Sequence, residues 1–411
     1  MVAIKSLIAL ISLRLVNAAP QASVSPSAVS SASPSASNSA TLSIEETDEL
    51  FSLHEDLVNI PSISGDEVEG AKFISEYLSG LGYYVEEVPV GDTGTFNVFA
   101  YPQELKDGGV WPEVLITSHI DTVPPFYPFE RREENGTVYH FGRGSVDAKG
   151  PVATMIVASH KFFQSRTDTP SLGMLFVVSE ETGGAGMKAF AQYASNTTFR
   201  AGIFGEPTEG KLASGHKGSL RVDLDVLGKS SHSAYPWLGV SAINYLTEAI
   251  VALNMLEPAL PRSELLGATT LNAGIIAGGV AGNVVPEHAN ATIVVRISRS
   301  EDDAVDVVQD MMAGMLSPIV ARAKEANATF DVRFSNTTYP ALILDTDVEG
   351  LKVAPVFFGT DIPSLPQVGK KYLFGTGTIE VAHTPDEMLS QDELVQAAEA
   401  YGMILESLFS E

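Results

Sequence analysis

Two short segments carry the residue types best suited to holding cations. Residues 118–124 read Ser-His-Ile-Asp-Thr-Val-Pro, and residues 142–150 read Gly-Arg-Gly-Ser-Val-Asp-Ala-Lys-Gly. His119 offers a neutral imidazole nitrogen, and Asp147 offers two oxygens, one to each of two ions. Asp121 stands where a carboxylate can fix the tautomer of a metal-bound imidazole. A plainer reading fits the same residues: an Asp ahead of a helix often caps it, and a His after a strand often lies on the surface. This stretch alone leaves both readings open.

The elements around these residues must deliver them to one place. The apolar run 114–116 precedes His119 and reads as a buried strand, while residues 151–157 follow Asp147 as a helix with Pro151 in its first turn. Ordered structure is expected to begin near Ser43, where Ser-Ile-Glu-Glu offers a capping box. Helices are predicted after it and over 68–81, then strands around 83–90, 96–101, 114–117, 173–178 and 201–204, with a short helix near 187–194. Alternation of strand and helix predicts an α/β layer with a largely parallel sheet covered on both faces. Glu180-Glu181 and Glu206 follow two of these strands as His119 follows another, and in such sheets residues distant in sequence meet at the carboxyl ends of strands. Paired acids usually make a solvated turn. Here the glycine-rich run 182–186 lets backbone pass close to a neighbour, which favours a site.

Residues 218–334 read differently, as strand, helix, two strands, helix and strand. That βαββαβ order is a ferredoxin-like unit inserted into the first layer. The α/β pattern is expected to resume with a strand over 353–358. His383 follows in a loop, ahead of a closing helix over 391–407.

At 411 residues two domains are expected, and a 45% hydrophobic content with 35 glycines suits a globular protein. A formal charge of −26 argues against nucleic acid as a partner. Residues 1–18, with Lys5, an apolar run over 7–16 broken by Arg14, and small residues at Val16 and Ala18, read as a secretory signal cleaved after Ala18 or Ala19. Residues 19–43 form a Ser/Ala/Pro-rich linker or propeptide. No later stretch reads as a membrane span. Glycosylation sequons at Asn135, Asn196, Asn290, Asn327 and Asn336 suit a secreted, extracellular glycoprotein. There is no cysteine, so a metal site must be built from His, Asp and Glu.

The motifs SHIDTVP, GRGSVDAKG, SEETGGAG, GEPT, SHSAYPWLG, NVVP and AHTPDE occur in an order and spacing that resembles the co-catalytic zinc metallopeptidases of the aminoacylase, acetylornithine deacetylase and carboxypeptidase G family. The resemblance covers roughly residues 45–411. It implies a catalytic part over 44–217 and 335–411, with 218–334 as a lid or dimerisation domain. It also implies two zinc ions per subunit, bridged by Asp147, with Glu181 and His383 on one and His119 and Glu206 on the other. Asp121 would orient His119, and Glu180 would be the general base. His232, Asn283 and Arg296 match substrate-contacting positions, and in dimeric relatives the histidine matching His232 serves the neighbouring subunit. Ser179 departs from the pattern, standing where relatives often carry a third acid.

Family members of this kind cut C-terminal residues from peptides, deacylate N-acyl amino acids, or act as aminopeptidases. Arg296 suits a bidentate grip on a free carboxylate. Secretion favours degradative work, so a carboxypeptidase is expected, with an N-acyl-amino-acid hydrolase as the alternative. A catalytically silent metal- or amino-acid-binding protein is a third reading, opposed by the retained Glu180. The other histidines take plain readings: His54 and His160 in helices, His140 in a loop, His216 and His288 at the junction or surface.

Overall fold

A computed structural model describes residues 41–92 and 94–410. The expected signal and most of the linker lie outside the described residues.

Chain entry is fixed locally. Ser43 accepts a hydrogen bond from the Glu46 amide while the Glu46 carboxylate accepts from the Ser43 amide, the capping box that starts α1 (Ile44–Asn59). After α2 (Val68–Gly80) come β1 (Tyr83–Pro89), β2 (Phe96–Pro102) and β3 (Val114–His119). Then follow α3 (Lys149–Gln164), β4 (Leu172–Val177), α4 (Ala185–Tyr193) and β5 (Phe199–Gly205). The second unit comprises β6 (Gly218–Leu227), α5 (Ala242–Leu256), β7 (Thr270–Gly278), β8 (His288–Ile297), α6 (Ala304–Glu325) and β9 (Thr329–Phe334). β10 (Val368–Phe374) and α7 (Gln391–Phe409) close the chain, and α7 begins with its own capping box, Ser390 with Glu393.

The main sheet runs β1-β2-β4-β3-β5-β10, and only β2 opposes the other strands. Alternate residues serve its two faces. Ile116, Met174 and Phe176 pack under α1, α3 and α7, whereas Leu115, Leu175 and Val177 pack with Phe99, Phe190 and Phe199 on the α4 side. α3 is buried along almost its whole length, which makes it a rigid central support for the residue that precedes it. The second sheet runs β7-β8-β6-β9, all antiparallel, with α5 and α6 over one face and a core of its own. This is the ferredoxin-like order.

Three expectations are corrected. The strand that rejoins the main sheet is β10, not 353–358. Val353–Ala354 makes only a two-residue ladder with Leu212–Ala213, and the next residue, Pro355, has no N–H to extend one. β10 escaped notice because Lys370 and Lys371 interrupt an edge strand that pairs on one side only. The second correction concerns α6, which at 22 residues is long and apolar enough to cross a bilayer. Its stripe of Val308, Met312, Leu316 and Ile319 is buried on the second sheet. The third concerns histidines. His140 lies in the strand Thr137–Phe141 rather than in a loop, and His54, His140 and His216 are all buried.

Of the sequon asparagines, Asn135, Asn196, Asn327 and Asn336 are exposed and Asn290 is half-buried within β8.

Candidate active site

The carboxyl ends of β3, β4 and β5 deliver His119, Glu180-Glu181 and Glu206 to one place, and the amino end of α3 delivers Asp147. The two oxygens of Asp147 face different partners. Oδ1 lies 3.0 Å from His119 Nε2, which is itself 3.9 Å from Glu206 Oε1. Oδ2 lies 3.2 Å from His383 Nε2, which is 2.8 Å from Glu181 Oε1. One carboxylate thus joins two histidine–glutamate pairs. Donor atoms of His119, Asp147 and Glu181 all fall within 4.8 Å of one another.

Each donor is held from behind. His119 Nδ1–H donates to the Asp121 carbonyl oxygen at 3.0 Å, which turns Nε2 toward Asp147. The Asp121 carboxylate, 3.5 Å from the same ring, is chiefly engaged with the next loop. It accepts from the amides of Glu180 and Glu181 at 2.9 and 3.2 Å and from Ser64 Oγ at 2.7 Å. Asp121 therefore sets the imidazole and the Glu180–Glu181 turn together.

Behind Asp147 stands Glu387, whose Oε1 accepts from the amides of Val146 and Asp147 at 3.1 Å each. Its other oxygen pairs with buried Arg143 at 2.6 Å, and Arg143 also donates to the carbonyls of His383 and Thr384. Arg143 and Glu387 lie inside the motifs that carry Asp147 and His383, yet their pairing across the fold was not anticipated. A second support is a chain of neutral side chains. Gln391 donates to His140 Nε2, His140 Nδ1 and His54 Nδ1 lie 2.8 Å apart, and His54 Nε2 donates to the Ser145 carbonyl at 2.9 Å. Burial pushes His54 down to about 3 and His140 down to about 4, so both rings stay neutral.

The electrostatics are those of a cation site. Burial works against charge on His119, yet its bonds to Asp121 and Asp147 hold its pKa well above the ordinary histidine value. Asp147 and Glu181 pull His383 up to about 10. Burial, then the charges of Asp147, Glu180 and Glu181, pushes Glu206 well above the usual carboxylate range. Burial and neighbouring Asp361 do the same to Glu180. Acids that repel one another while holding two imidazoles positive are neutralised by divalent metal, and the set of two His with Asp and Glu fits such ions. Among the described residues, the Glu180 carboxylate hydrogen-bonds to none of the other candidate ligands.

Asp361 is a further residue that the sequence did not reveal. It lines a small cavity with His119 and Glu206, its Oδ2 has no hydrogen-bond partner among the described residues, and burial pushes it up to about 7. A Cβ at Gly184 (φ 71°) would sit 2.6 Å from its Oδ1, so the glycine-rich loop passes close to this acid. Ser179, in place of the third acid, donates to buried Glu67 at 3.0 Å.

The three residues matched to substrate contacts separate. Arg296 lies near the end of β8 that joins the main layer. His232 and Asn283 are both exposed and lie beyond the opposite end, beside one another, with Ser233 N–H donating to the Asn283 carbonyl.

A carboxylate-rich pair of half-sites at the carboxyl ends of a parallel sheet, under a ferredoxin-like second unit, defines a metal-dependent hydrolase. Residues 115–407 match the model of peptidase family M20/M25/M40. The chain is 40% identical over 380 residues to a probable carboxypeptidase of Aspergillus terreus, covering 87% of this chain and 86% of that protein. Similarity to a probable carboxypeptidase of Uncinocarpus reesii is equal, 40% over 396 residues with the same coverage. Among solved structures, an M20 family metallo-carboxypeptidase from Sulfolobus solfataricus shares the fold with a TM-score of 0.66 at 19% identity, covering 87% of this chain and 98% of that one. A dinuclear metal binding M20 peptidase of Bacillus subtilis does so with a TM-score of 0.64 at 17% identity, over 89% and 99% of the two chains. The chain belongs to peptidase family M20/M25/M40.

Proposed function

We propose that this protein is an exported carboxypeptidase that uses two zinc ions to cleave the amide bond of a C-terminal amino acid. The observation that carries the reading is the division of Asp147, with His119 and Glu206 toward one oxygen and His383 and Glu181 toward the other. His119, Asp147 and Glu206 would hold one ion, and His383, Asp147 and Glu181 the other. Such a pair lowers the pKa of a water and polarises the scissile carbonyl. Glu180, poised beside both sets, takes the proton of the attacking water and returns it to the leaving amine. Its raised pKa in the protein alone reflects crowding by acids, and cations would relieve that crowding. Arg296 receives the free carboxylate. The names of the fungal relatives support a carboxypeptidase, and the apparent signal at residues 1–18 supports export.

Residues 218–334 serve as lid and dimerisation unit in this reading, and His232 acts on the partner's substrate. β7 is an open edge of the second sheet, with Ile275 and Ile276 about 60% exposed, the type of edge a second copy pairs with.

The test is a panel of N-blocked dipeptides, the same compounds as C-terminal amides, and acetylated amino acids, assayed with metal content measured in parallel. Cleavage of the free-acid dipeptides with two zinc per chain is expected. Cleavage restricted to acetylated amino acids makes the protein an N-acyl-amino-acid hydrolase. Metal-loaded protein that hydrolyses nothing in the panel overturns the enzymatic reading. N-terminal sequencing of exported protein, expected to start just after Ala18 or Ala19, tests the leader.

A further inference from the structure

Ser219 in β6 has a long side chain on each side of it. Its register partner in β8 is Arg296. On the other side the chain returns after β9, and Tyr339 exchanges both backbone hydrogen bonds with Ser219, at 3.1 and 3.2 Å. Directly paired residues in antiparallel neighbours project from the same face. Arg296, Ser219 and Tyr339 therefore form one row, with the outer two Cα atoms roughly 10 Å apart. The alternate residues Leu220, Val295 and Ile297 point into the core under α5 and α6, so the row faces away from that core.

The two long side chains converge over the small serine. A Cβ at Gly359 would collide with Tyr339 Oη and lie 2.9 Å from Arg296 Nη1, so hydroxyl and guanidinium flank one point of backbone. The phenol ring is held edge-on by His216 at 6.2 Å. His216 is itself buried and fixed by the Lys217 carbonyl and Thr360 Oγ1. Tyr339 Oη accepts from the Thr360 backbone, and its own O–H donates to no group among the described residues. Burial pushes the phenol up to about 12, so it keeps its proton through the neutral range. Gly359, which both side chains flank, is followed by Thr360 and Asp361, which line the cavity with His119 and Glu206, so the row stands beside the candidate metal ligands.

We propose that Tyr339 and Arg296 form a two-armed clamp for the substrate's terminal carboxylate, with the phenol donating to one oxygen and the guanidinium to the other across Ser219. The clamp rests on the carboxylate-terminated substrate class proposed above and adds a neutral arm to it. An ionised carboxylate accepts both donors, whereas a terminal amide presents one oxygen and an NH₂ that opposes the guanidinium.

Tyr339→Phe keeps the ring and its contact with His216 and removes only the hydroxyl. In the zinc-loaded enzyme, KM for a free-acid dipeptide should rise about tenfold or more, the loss of one hydrogen bond to a charged group, with kcat within about twofold. The inhibition constant of the free product amino acid should rise by the same factor, and that of its amide should not move. Unchanged KM and inhibition constants overturn the clamp. A fall in kcat alone, equal on free-acid and slow amide substrates, also overturns it, because the hydroxyl would then serve the reacting carbonyl. Arg296→Ala measured alongside separates the two levels. If it fails to distinguish acid from amide, the carboxylate-reading function fails. If it does distinguish them while Tyr339→Phe is inert, only the clamp is lost.

Discussion

The two ends of the second sheet stand in opposite relation to the metal ligands. At one end, Arg296 sits beside Tyr339, Gly359 and the buried His216, packed against the layer that carries His119 and Asp147. At the other, His232 and Asn283 lie past His288, eight residues back along β8 and so roughly 27 Å away along the strand. The near end is enclosed. The far end is open: Trp237, five residues after His232, is 73% exposed, and Val280 is 89% exposed. One chain thus gathers and braces the candidate metal ligands and the proposed carboxylate grip, but His232 and Asn283 lie away from both. In the proposed function, a second copy brings its far end to the first copy's near end.

The largest effect is expected at Asp147, which both half-sites share. Asp147→Ala should lose metal from both half-sites and abolish turnover, and it should be worse than Glu206→Ala, since one carboxylate serves both sets. Metal analysis of purified protein decides it: two equivalents retained in Asp147→Ala would remove the bridge. Glu180→Gln is the next largest effect. It should keep both metals and the fold while turnover drops by roughly 10²–10⁴. Loss of zinc would make Glu180 a ligand, and near-normal turnover would exclude it as the base.

The open end yields a different signature. His232→Ala should leave metal content and stability unchanged, because nothing buried depends on this side chain, yet turnover should collapse. Mixed with Glu180→Ala under conditions of subunit exchange, it should regain roughly a quarter of wild-type activity, since half of random pairs are mixed and each mixed pair contains one complete site. Mixed dimers that form and stay inactive would rule out action in trans. A monomer in solution would remove the division between subunits altogether.

The candidate ligands stood out in the sequence because His119, Glu181 and Glu206 sit in short motifs after strands and Asp147 ahead of a helix, where local pattern and position agree. The ferredoxin-like order was legible for the same reason, since β6, β8 and β9 alternate cleanly. What escaped was pairing at long range. Glu387 bonds to the Asp147 backbone from 240 positions away, Gln391 reaches His140, and Tyr339 meets Arg296 only through Ser219. Periodicity says which face a residue takes, but not which distant residue will share it. β10 was missed because its lysines hide an edge strand, and Asp361 because a Gly-Thr-Asp turn looks like any exposed turn until the fold encloses it.

The smallest effect tests the bracing of the near end. The His54–His140 chain ties α1 and Gln391 of α7 to the loop that carries Asp147, and it works only while both rings are neutral. His54 has a folded pKa of about 3 against an ordinary 6.5, with burial the main cause and His140 and Lys149 adding to it. Below pH 6.5 the unfolded chain binds a proton at His54 that the folded protein refuses, so unfolding is favoured as pH falls. The contribution of His54 is therefore full above pH 6.5 and declines toward pH 3. His54→Gln removes this titration. At pH 7 the variant should be less stable than wild type by about 1–3 kcal/mol, for lost buried hydrogen bonds. By pH 5 the gap should narrow by about 2 kcal/mol, since only wild type gains a proton at residue 54 on unfolding. Denaturant titrations of both proteins at the two pH values measure it. A gap that stays constant would mean that His54 titrates normally in the fold, and the neutral chain behind Asp147 would then be wrong.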